Sequence, residues 1–339
     1  MSSTLFWAIF LGTYGVVFAL DMFVISRRHG EITTATALRW TGLWVLVALA
    51  YGVAIYLWYP QNAAGADRTA TVLSLKYLSG YLTEYSLSID NLFVFIMIFS
   101  MMAVHKDAQP RLLKLGILLS VVLRVLFILV GMGLVTAFHW LLYVFGAVLL
   151  WTAFKMAFSG EEERIDPESN MLFRAANKLF SIDPDPYPTT FFTKQEGKTH
   201  LTRLFLVFLV IGSTDVLFAL DSIPAIIGVV KEGGRSVLTS SQEDFIAVTS
   251  NVFAVMGLSS LFFALQGLLG KFRFLQHGVS IILAFIACKM ILSALPSVSK
   301  FFEGHTWVSL AVIALSIGLS IILSMIIPEG NDRTDREEA

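Results

Sequence analysis

The sequence predicts an all-α polytopic membrane protein of about nine transmembrane helices, N-out and C-in, built around an inverted three-plus-three helix repeat. Four observations predict it. Apolar residues make up 56% of the 339 residues and charged residues only 14%, with a mean hydropathy of +0.74, too little polar surface to coat a soluble globule. The apolar residues gather into stretches of roughly 20, the length that crosses a bilayer. Lys and Arg are also distributed unevenly between alternate loops, and three short fragments recur in order along the chain.

The spans read, in order, as 4–26, 38–58, 72–101, 111–136, 140–158, 204–229, 244–269, 274–295 and 305–327. The first lacks a basic segment before it and is followed by Arg27 and Arg28, so it reads as a retained span rather than a cleaved signal. With the N-terminus outside, sixteen Lys/Arg fall on the cytoplasmic side, from Arg27 to Arg336, against five outside: Arg68, Lys76, Lys231, Arg235 and Lys300. The chain thereby divides into two N-terminal spans (1–71), a first three-helix repeat (72–158), a cytoplasmic loop (159–203), a second repeat (204–295), a ninth span (296–329) and a polar tail (330–339) that reads as disordered. The loop opens with Glu161-Glu162-Glu163, a solvated face by preference over a regulatory patch, and carries the proline-rich run Asp183–Pro188. Asn170–Phe180 between them has the pattern of a short amphipathic surface helix.

The repeat rests on three pairs of fragments. Span three carries Glu84-Tyr-Ser-Leu-Ser-Ile-Asp90-Asn91 and span six Asp215-Val-Leu-Phe-Ala-Leu-Asp221-Ser222. Met132-Gly-Leu134 in span four returns as Met256-Gly-Leu258 in span seven, and Ala153-Phe-Lys155-Met156 in span five as Ala287-Cys-Lys289-Met290 in span eight. A triplet has an odd number of crossings, so its second copy runs in the opposite sense, with a binding site expected at mid-membrane between the halves. Ser88-Ile-Asp90 also aligns with Ser213-Thr-Asp215, which leaves a second register open.

Charges inside a bilayer cost at least about 2.5–3.5 kcal/mol each on insertion scales and are usually functional. Asp21, Glu84, Asp90, Asp215 and Asp221 fall within spans, as do Arg124, Lys155 and Lys289. Lys155 lies near the end of its span and is expected to snorkel, and Lys289 to do likewise toward the outer face. Arg124 is mid-span, and the plainest reading pairs it and a lysine with some of the acids. Asp21 reads as structural or peripheral. Glu84 and Asp90, at i and i+6, lie about 120° apart on a regular helix, so gripping one ion together requires a local break. Pro224 supplies one candidate in span six, since the Leu220 carbonyl loses its helical partner beside Asp221 and Ser222. In span three a break would have to come from Asn91 or Gly80.

Carboxylate, amide, hydroxyl and carbonyl oxygens suit hard divalent ions such as Mn²⁺, Mg²⁺ or Ca²⁺. The six histidines lie in loops or near span ends and the single cysteine is Cys288, so a soft or imidazole-rich site is disfavoured and no intrachain disulfide is possible. Met97, Met101 and Met132 read as packing. A net charge of −1 argues against a nucleic-acid partner. The partners expected are the lipid bilayer, a divalent cation and protons as counter-ion. No GxxxxGK[ST] occurs, so ATP is not the direct energy source, and no Ser/His/Asp or HExxH arrangement suggests an enzyme.

Glu84–Phe95 paired with Asp215–Ile226, extended by Phe191-Phe192, Leu238-Thr-Ser240 and Thr249-Ser-Asn251, resembles the TerC family of integral membrane proteins over nearly the whole chain, and within it the Alx-type manganese exporters of bacteria. The resemblance implies a nine-helix bundle related to the lysine-exporter superfamily and Mn²⁺ efflux across the bacterial cytoplasmic membrane, with Glu84, Asp90, Asn91, Asp215, Asp221 and Ser222 handling the metal and no bound cofactor. Three positions depart from the family pattern: Tyr85 where relatives commonly have Lys, Gly212 where they have Glu, and Ser259 where they have Arg. An intramembrane scaffold for a metal-stress complex, docking through 159–203, and an exporter of an organic cation are the alternatives.

Overall fold

A computed structural model describes residues 3–27, 33–60, 69–158, 190–231, 238–266 and 274–327, apart from positions 103, 107, 196, 197, 293, 294, 296, 299, 300, 303 and 304. The acidic cluster, the Asn170–Phe180 segment, the proline-rich run and the polar tail lie outside the described residues. The protein is mostly helical, and each stretch expected to span a membrane coincides with a helix or a pair of helices. These are α1 (Ser3–Arg27), α2 (Thr34–Trp58), α3 (Thr69–Met101), α4 (Gln109–Ala137), α5 (Leu141–Phe158), α6 (Arg203–Val230), α7 (Ser240–Val255), α8 (Leu258–Gln266), α9 (Leu275–Leu292) and α10 (Thr306–Ile326). Among the described residues, four stretches are long and apolar enough to cross a bilayer by length and composition alone: Thr34–Trp58, Gln109–Ala137, the α7–α8 unit Ser240–Gln266, and Trp307–Ile326. The two that carry the acids, α3 and α6, are 33 and 28 residues long.

Helix ends follow local chemistry. Thr33 caps α2 through its hydroxyl, which accepts from the Thr36 N–H. Pro110 opens α4, where its missing N–H costs nothing. Thr239 and Gln242 form a reciprocal capping box at the start of α7. The loop before α6 holds an element absent from the sequence reading, an antiparallel hairpin of β1 (Phe192–Gln195) and β2 (Lys198–Leu201), with Phe192 opposite Leu201. Phe191 and Phe192 lay their rings against Phe205 of α6, and Arg111 of α4 stacks over Phe191 at 5.4 Å.

The architecture is apolar outside and polar inside. Leu11, Leu46, Val53, Leu126, Trp151, Phe154, Leu315 and Leu319 are exposed, whereas Glu84, Arg124, Asp215, Thr249 and Asn251 are buried. That inversion of the soluble rule places the outer faces in lipid. The most extensive helix contacts join α5 to α9, α3 to α7, and α4 to α6, with α3 also packed on α6. The α3–α6 pair is antiparallel. The Lys76 ammonium donates to the Val230 carbonyl at 2.5 Å, and Gly80 sits where a Cβ would press on Ile226 and Ser250. Extended in steps of four, that spacing would set Glu84 at the level of Ser222, and seven residues further Asn91 at the level of Asp215.

Two expectations about helix breaks are corrected. α6 runs unbroken through Pro224. Ala225, Ile226, Ile227, Val229 and Val230 are all buried beyond it, and that packing holds the helix on course against a proline cost of about 3 kcal/mol. α3 is likewise continuous past Gly80 and Asn91. The break falls instead in span seven. Met256 leaves the helix in an extended conformation and Gly257 takes φ +84°, so the single helix expected over 244–269 is two, α7 and α8. A Cβ at Gly257 would also collide with the Trp44 ring of α2.

Gly257→Ala is therefore expected to destabilise the fold by about 1–3 kcal/mol, through left-handed strain combined with the Trp44 clash. Thermal unfolding in detergent would register it as a clear drop in Tm. An unchanged Tm would show that the break tolerates an ordinary residue.

Candidate functional site

At the centre of the bundle, α3, α4, α6 and α7 bring together charged and amide side chains that no single helix could pair. Arg124 of α4 is 1% exposed and Glu84 of α3 is 2% exposed; the two form a direct ion pair between guanidinium Nη1 and carboxylate Oε1. Asp215 of α6, 3% exposed, lies on the other side of the guanidinium, its Oδ1 3.9 Å from Nη2. Ser120, one turn before Arg124, bridges them: its hydroxyl donates to Asp215 Oδ1 at 3.0 Å and accepts from Arg124 Nε at 3.1 Å. Asn251 of α7 donates to Glu84 Oε2 at 2.8 Å, and Ser88 donates to Oε1 at 3.2 Å. With its amide oriented oxygen toward the guanidinium, the assignment that satisfies both ends, Asn91 completes the ring, donating to the Leu87 carbonyl at 3.2 Å and accepting from Arg124 Nη2 at 2.9 Å.

Glu84 and Asn91 stand on one face of α3, seven residues and about 10 Å apart, and the guanidinium contacts both. Arg124 thus neutralises one carboxylate where a lone ion would be prohibitively costly, and shares its charge with a second. With both acids ionised the trio carries a net charge of −1. Several oxygens remain open. Asp215 Oδ2, Asn251 Oδ1 and the Ser222 hydroxyl are buried without a hydrogen-bond partner. Such orphans are uncommon in a finished core and mark a place where water or an ion completes the set.

The residues singled out in the sequence separate here. Glu84, Asn91, Arg124 and Asp215 converge, and Ser222 is buried in α6. Asp90 lies in α3 and Asp221 in α6, each about 120° around its helix from the acid six residues earlier. Asp21 lies in α1. The side chains of Asp90, Asp221 and Asp21 lie outside the described residues. Among the described residues no group of three or more Asp, Glu, His or Cys side chains is placed to hold a metal ion.

The lysines differ from one another. Lys155 is exposed at the end of α5. Lys289, expected to reach toward the outer face, is instead 5% exposed, donates to Ser309 at 3.2 Å and lies 5.6 Å from the rings of both Phe285 and Phe302. Cation–π attraction and a hydroxyl replace the water it would otherwise seek.

Ser120 was not singled out in the sequence and Asn251 entered only as part of the Thr249-Ser-Asn251 fragment, not as a site residue, although each had a signal: a hydroxyl four residues before an intramembrane arginine, and an amide inside an apolar span. A Cβ at Gly212 would lie 2.9 Å from a terminal methyl of Leu119, which would have to turn aside. Tyr85 stacks on Tyr81, with ring centroids 5.7 Å apart.

Residues 70–332 match the family described as integral membrane protein TerC. An uncharacterized membrane protein of Myxococcus xanthus is 37% identical over 320 residues, covering 94% of this chain and 92% of that protein. An Escherichia coli K12 protein named as a membrane-bound redox modulator, Alx, is 33% identical over 338 residues, covering 99% and 98%. The Arabidopsis thaliana chloroplastic thylakoid membrane protein TERC is 33% identical over 309 residues, covering 91% and 73%. No solved structure matches the chain.

Arg124→Gln leaves Glu84 and Asp215 buried without their cation, and is expected to cost about 3–5 kcal/mol. Adding Glu84→Gln to that variant removes the uncompensated charge and should recover part of the loss. Equilibrium unfolding in mixed micelles would measure both, and an Arg124→Gln protein as stable as the parent would contradict the pairing.

Proposed function

Because the chain belongs to the TerC family of integral membrane proteins, we propose that it is a secondary transporter exporting Mn²⁺, or a similar hard divalent cation, across the bacterial cytoplasmic membrane in exchange for protons. The observation that carries this reading is the buried oxygen set drawn from several helices: two carboxylates bound to one guanidinium, with Asp215 Oδ2, Asn251 Oδ1 and Ser222 Oγ left open. Hard oxygen donors of this kind fit Mn²⁺, Mg²⁺ or Ca²⁺ better than soft metals.

The inverted repeat read from the sequence fits the transport reading. Its axis, lying in the membrane plane, would relate α3 to α6, α4 to the α7–α8 unit, and α5 to α9, and exchange depth across the midplane. Glu84 opposite Ser222 and Asn91 opposite Asp215 are the pairings it would generate, each acid facing the amide or hydroxyl that ends the other fragment. The same operation exchanges the α3–α7 contact with the α4–α6 contact, and both are extensive. This favours the register pairing Glu84 with Asp215 over the one pairing Asp90 with Asp215.

In this reading Arg124 is an internal counter-ion. It holds Glu84 and Asp215 while no metal is bound, and its own charge opposes a second cation beside it. Metal entering from the cytoplasm draws on Asp90, Asp221 and the open oxygens, and protons replace it on those carboxylates at release. Protonation then belongs to the coupled group rather than to one residue. Several relatives are named redox modulators, but a single cysteine, Cys288, offers no intrachain dithiol for such a role. Transport of an ion that itself affects redox balance accommodates that name.

Uptake of radioactive Mn²⁺ by everted membrane vesicles tests the proposal. The parent protein should drive uptake that collapses with a protonophore, and the Asp90→Asn/Asp221→Asn variant should lose at least about tenfold of the rate, since loss of even the partners behind a metal's ligands costs about that much. Uptake equal to that of empty vesicles, with the protein inserted, would overturn manganese transport. Uptake of an organic cation in its place would redirect the same carboxylates to an ammonium substrate.

A further inference from the structure

The two ends of the bundle are closed by different chemistry at equivalent places. At the end away from the hairpin, Lys231 is the C-cap of α6, its N–H on the Ile227 carbonyl. Its ammonium donates to Glu243 Oε2, in the first turn of α7, at 2.5 Å, and to the Thr136 hydroxyl, in the last turn of α4, at 3.3 Å. Thr136 gives its own proton to the Met132 carbonyl, 2.8 Å away, so a lone pair is what it offers the lysine. Glu243 is buried. Two residues further into α7, the Phe245 ring packs on Tyr59 at 5.6 Å, and Phe6 covers Tyr59 at 5.0 Å.

At the hairpin end, Gln109, the first residue of α4, donates from Nε2 to the Val104 carbonyl just past α3 at 3.0 Å. Its Oε1 accepts from Nε2 of Gln266, the last residue of α8, at 3.3 Å. Phe99 of α3 and Phe262 of α8 meet edge to face, with ring centroids 5.5 Å apart. An inverted repeat relating α3 to α6, and α4 to the α7–α8 unit, would carry the end of α6, the start of α7 and the end of α4 onto the end of α3, the start of α4 and the end of α8. Those are the two trios tied here. Arg124 lies between them on α4, about 22 Å along the helix from Gln109 and about 18 Å from Thr136. The bonds differ in kind. One end has an ion pair, whose acid and base each sit at the favourable pole of a helix dipole. The other has neutral amides, and a charge-assisted hydrogen bond is roughly twice as strong as a neutral one.

We propose that Lys231–Glu243–Thr136 and Val104–Gln109–Gln266 are the two gates on either side of the Arg124 cluster, and that their unequal strength makes the hairpin end the one that opens first. The proposal rests on the transport reading for what passes, though not for which end yields. Both gates are shut in this structure. With the N-terminus outside, as the Lys/Arg distribution predicts, the hairpin end faces the cytoplasm, and the resting protein takes its cargo from inside. Opening the far end then requires the Lys231–Glu243 pair to part. The lysine side chain is 17% exposed, so its ammonium already touches the water that would solvate it on release.

The test reads accessibility rather than transport. In a full-length Cys288→Ala protein, Ala247→Cys reports one turn inside Glu243 and Ala264→Cys reports beside Gln266; both alanines are fully buried. A membrane-impermeant maleimide is applied to each face in turn, in right-side-out and everted vesicles. Ala264→Cys should react from the hairpin side at least about fivefold faster than Ala247→Cys reacts from the far side. Glu243→Gln should speed labelling of Ala247→Cys alone by about tenfold, and the exchange Lys231→Glu/Glu243→Lys should restore slow labelling. Unchanged labelling of Ala247→Cys in the Glu243→Gln protein would overturn the gate. Faster labelling of both reporters together would mean general loosening and would overturn it too. The predicted pattern in a protein that moves no cation would retire the transport reading and leave the two closures standing. Cation transport with Ala247→Cys indifferent to Glu243→Gln would do the reverse.

Discussion

A guanidinium in the middle of a membrane protein imposes a condition on everything around it. Arg124 is effectively sealed from solvent, and its charge survives there only if carboxylates and acceptors from neighbouring helices are held against it. Glu84 arrives from α3, Asp215 from α6 by way of Ser120, and Asn251 from α7 fixes the far oxygen of Glu84. Four helices must therefore share one register. The close approach at Gly80, the Lys76–Val230 bond and the break at Gly257 are packing features compatible with that register. Around this polar centre the remaining surface is free to be apolar.

A second clasp ties the end of the bundle away from the hairpin. Lys231, just past α6, pairs with Glu243 in the first turn of α7 at 2.5 Å and reaches Thr136 of α4 at 3.3 Å. The helices that meet at Arg124 are thus joined again where α4 and α6 end and α7 begins. For a transporter, a fixed centre with clasps at one end is the arrangement that rocking of one half against the other would open and close. The centre holds its carboxylates with an internal cation.

Much of the fold was legible because the bilayer makes span length and charge placement strict. The nine apolar stretches coincide with helices, and Arg124 stood out as a charge too deep to escape. What stayed hidden depended on tertiary contacts. Pro224 looked like a break, yet α6 continues through it with buried neighbours on its far side, whereas Gly257 looked like half of a repeat marker and turned out to interrupt the helix against Trp44. The Lys289 ammonium found two aromatic rings and a serine from distant segments instead of the surface. The hairpin at 192–201 was masked by the polar composition of its loop, although Phe192 and Leu201 frame a Glu-Gly turn signal. Asn251 gave only an amide in an apolar run, and nothing local to it names Glu84 as its partner.

The central claim is that Arg124 couples carboxylates from two separate parts of the chain. Double-mutant cycles measure this directly: Arg124→Gln combined with Glu84→Gln, and separately with Asp215→Asn, followed by equilibrium unfolding in lipid nanodiscs. The account predicts non-additive losses in both cycles, with a coupling energy of at least about 1 kcal/mol each and the larger value for Glu84, which makes the direct ion pair. Additive effects in both cycles would mean that the guanidinium and the carboxylates do not act on one another, and would contradict the account.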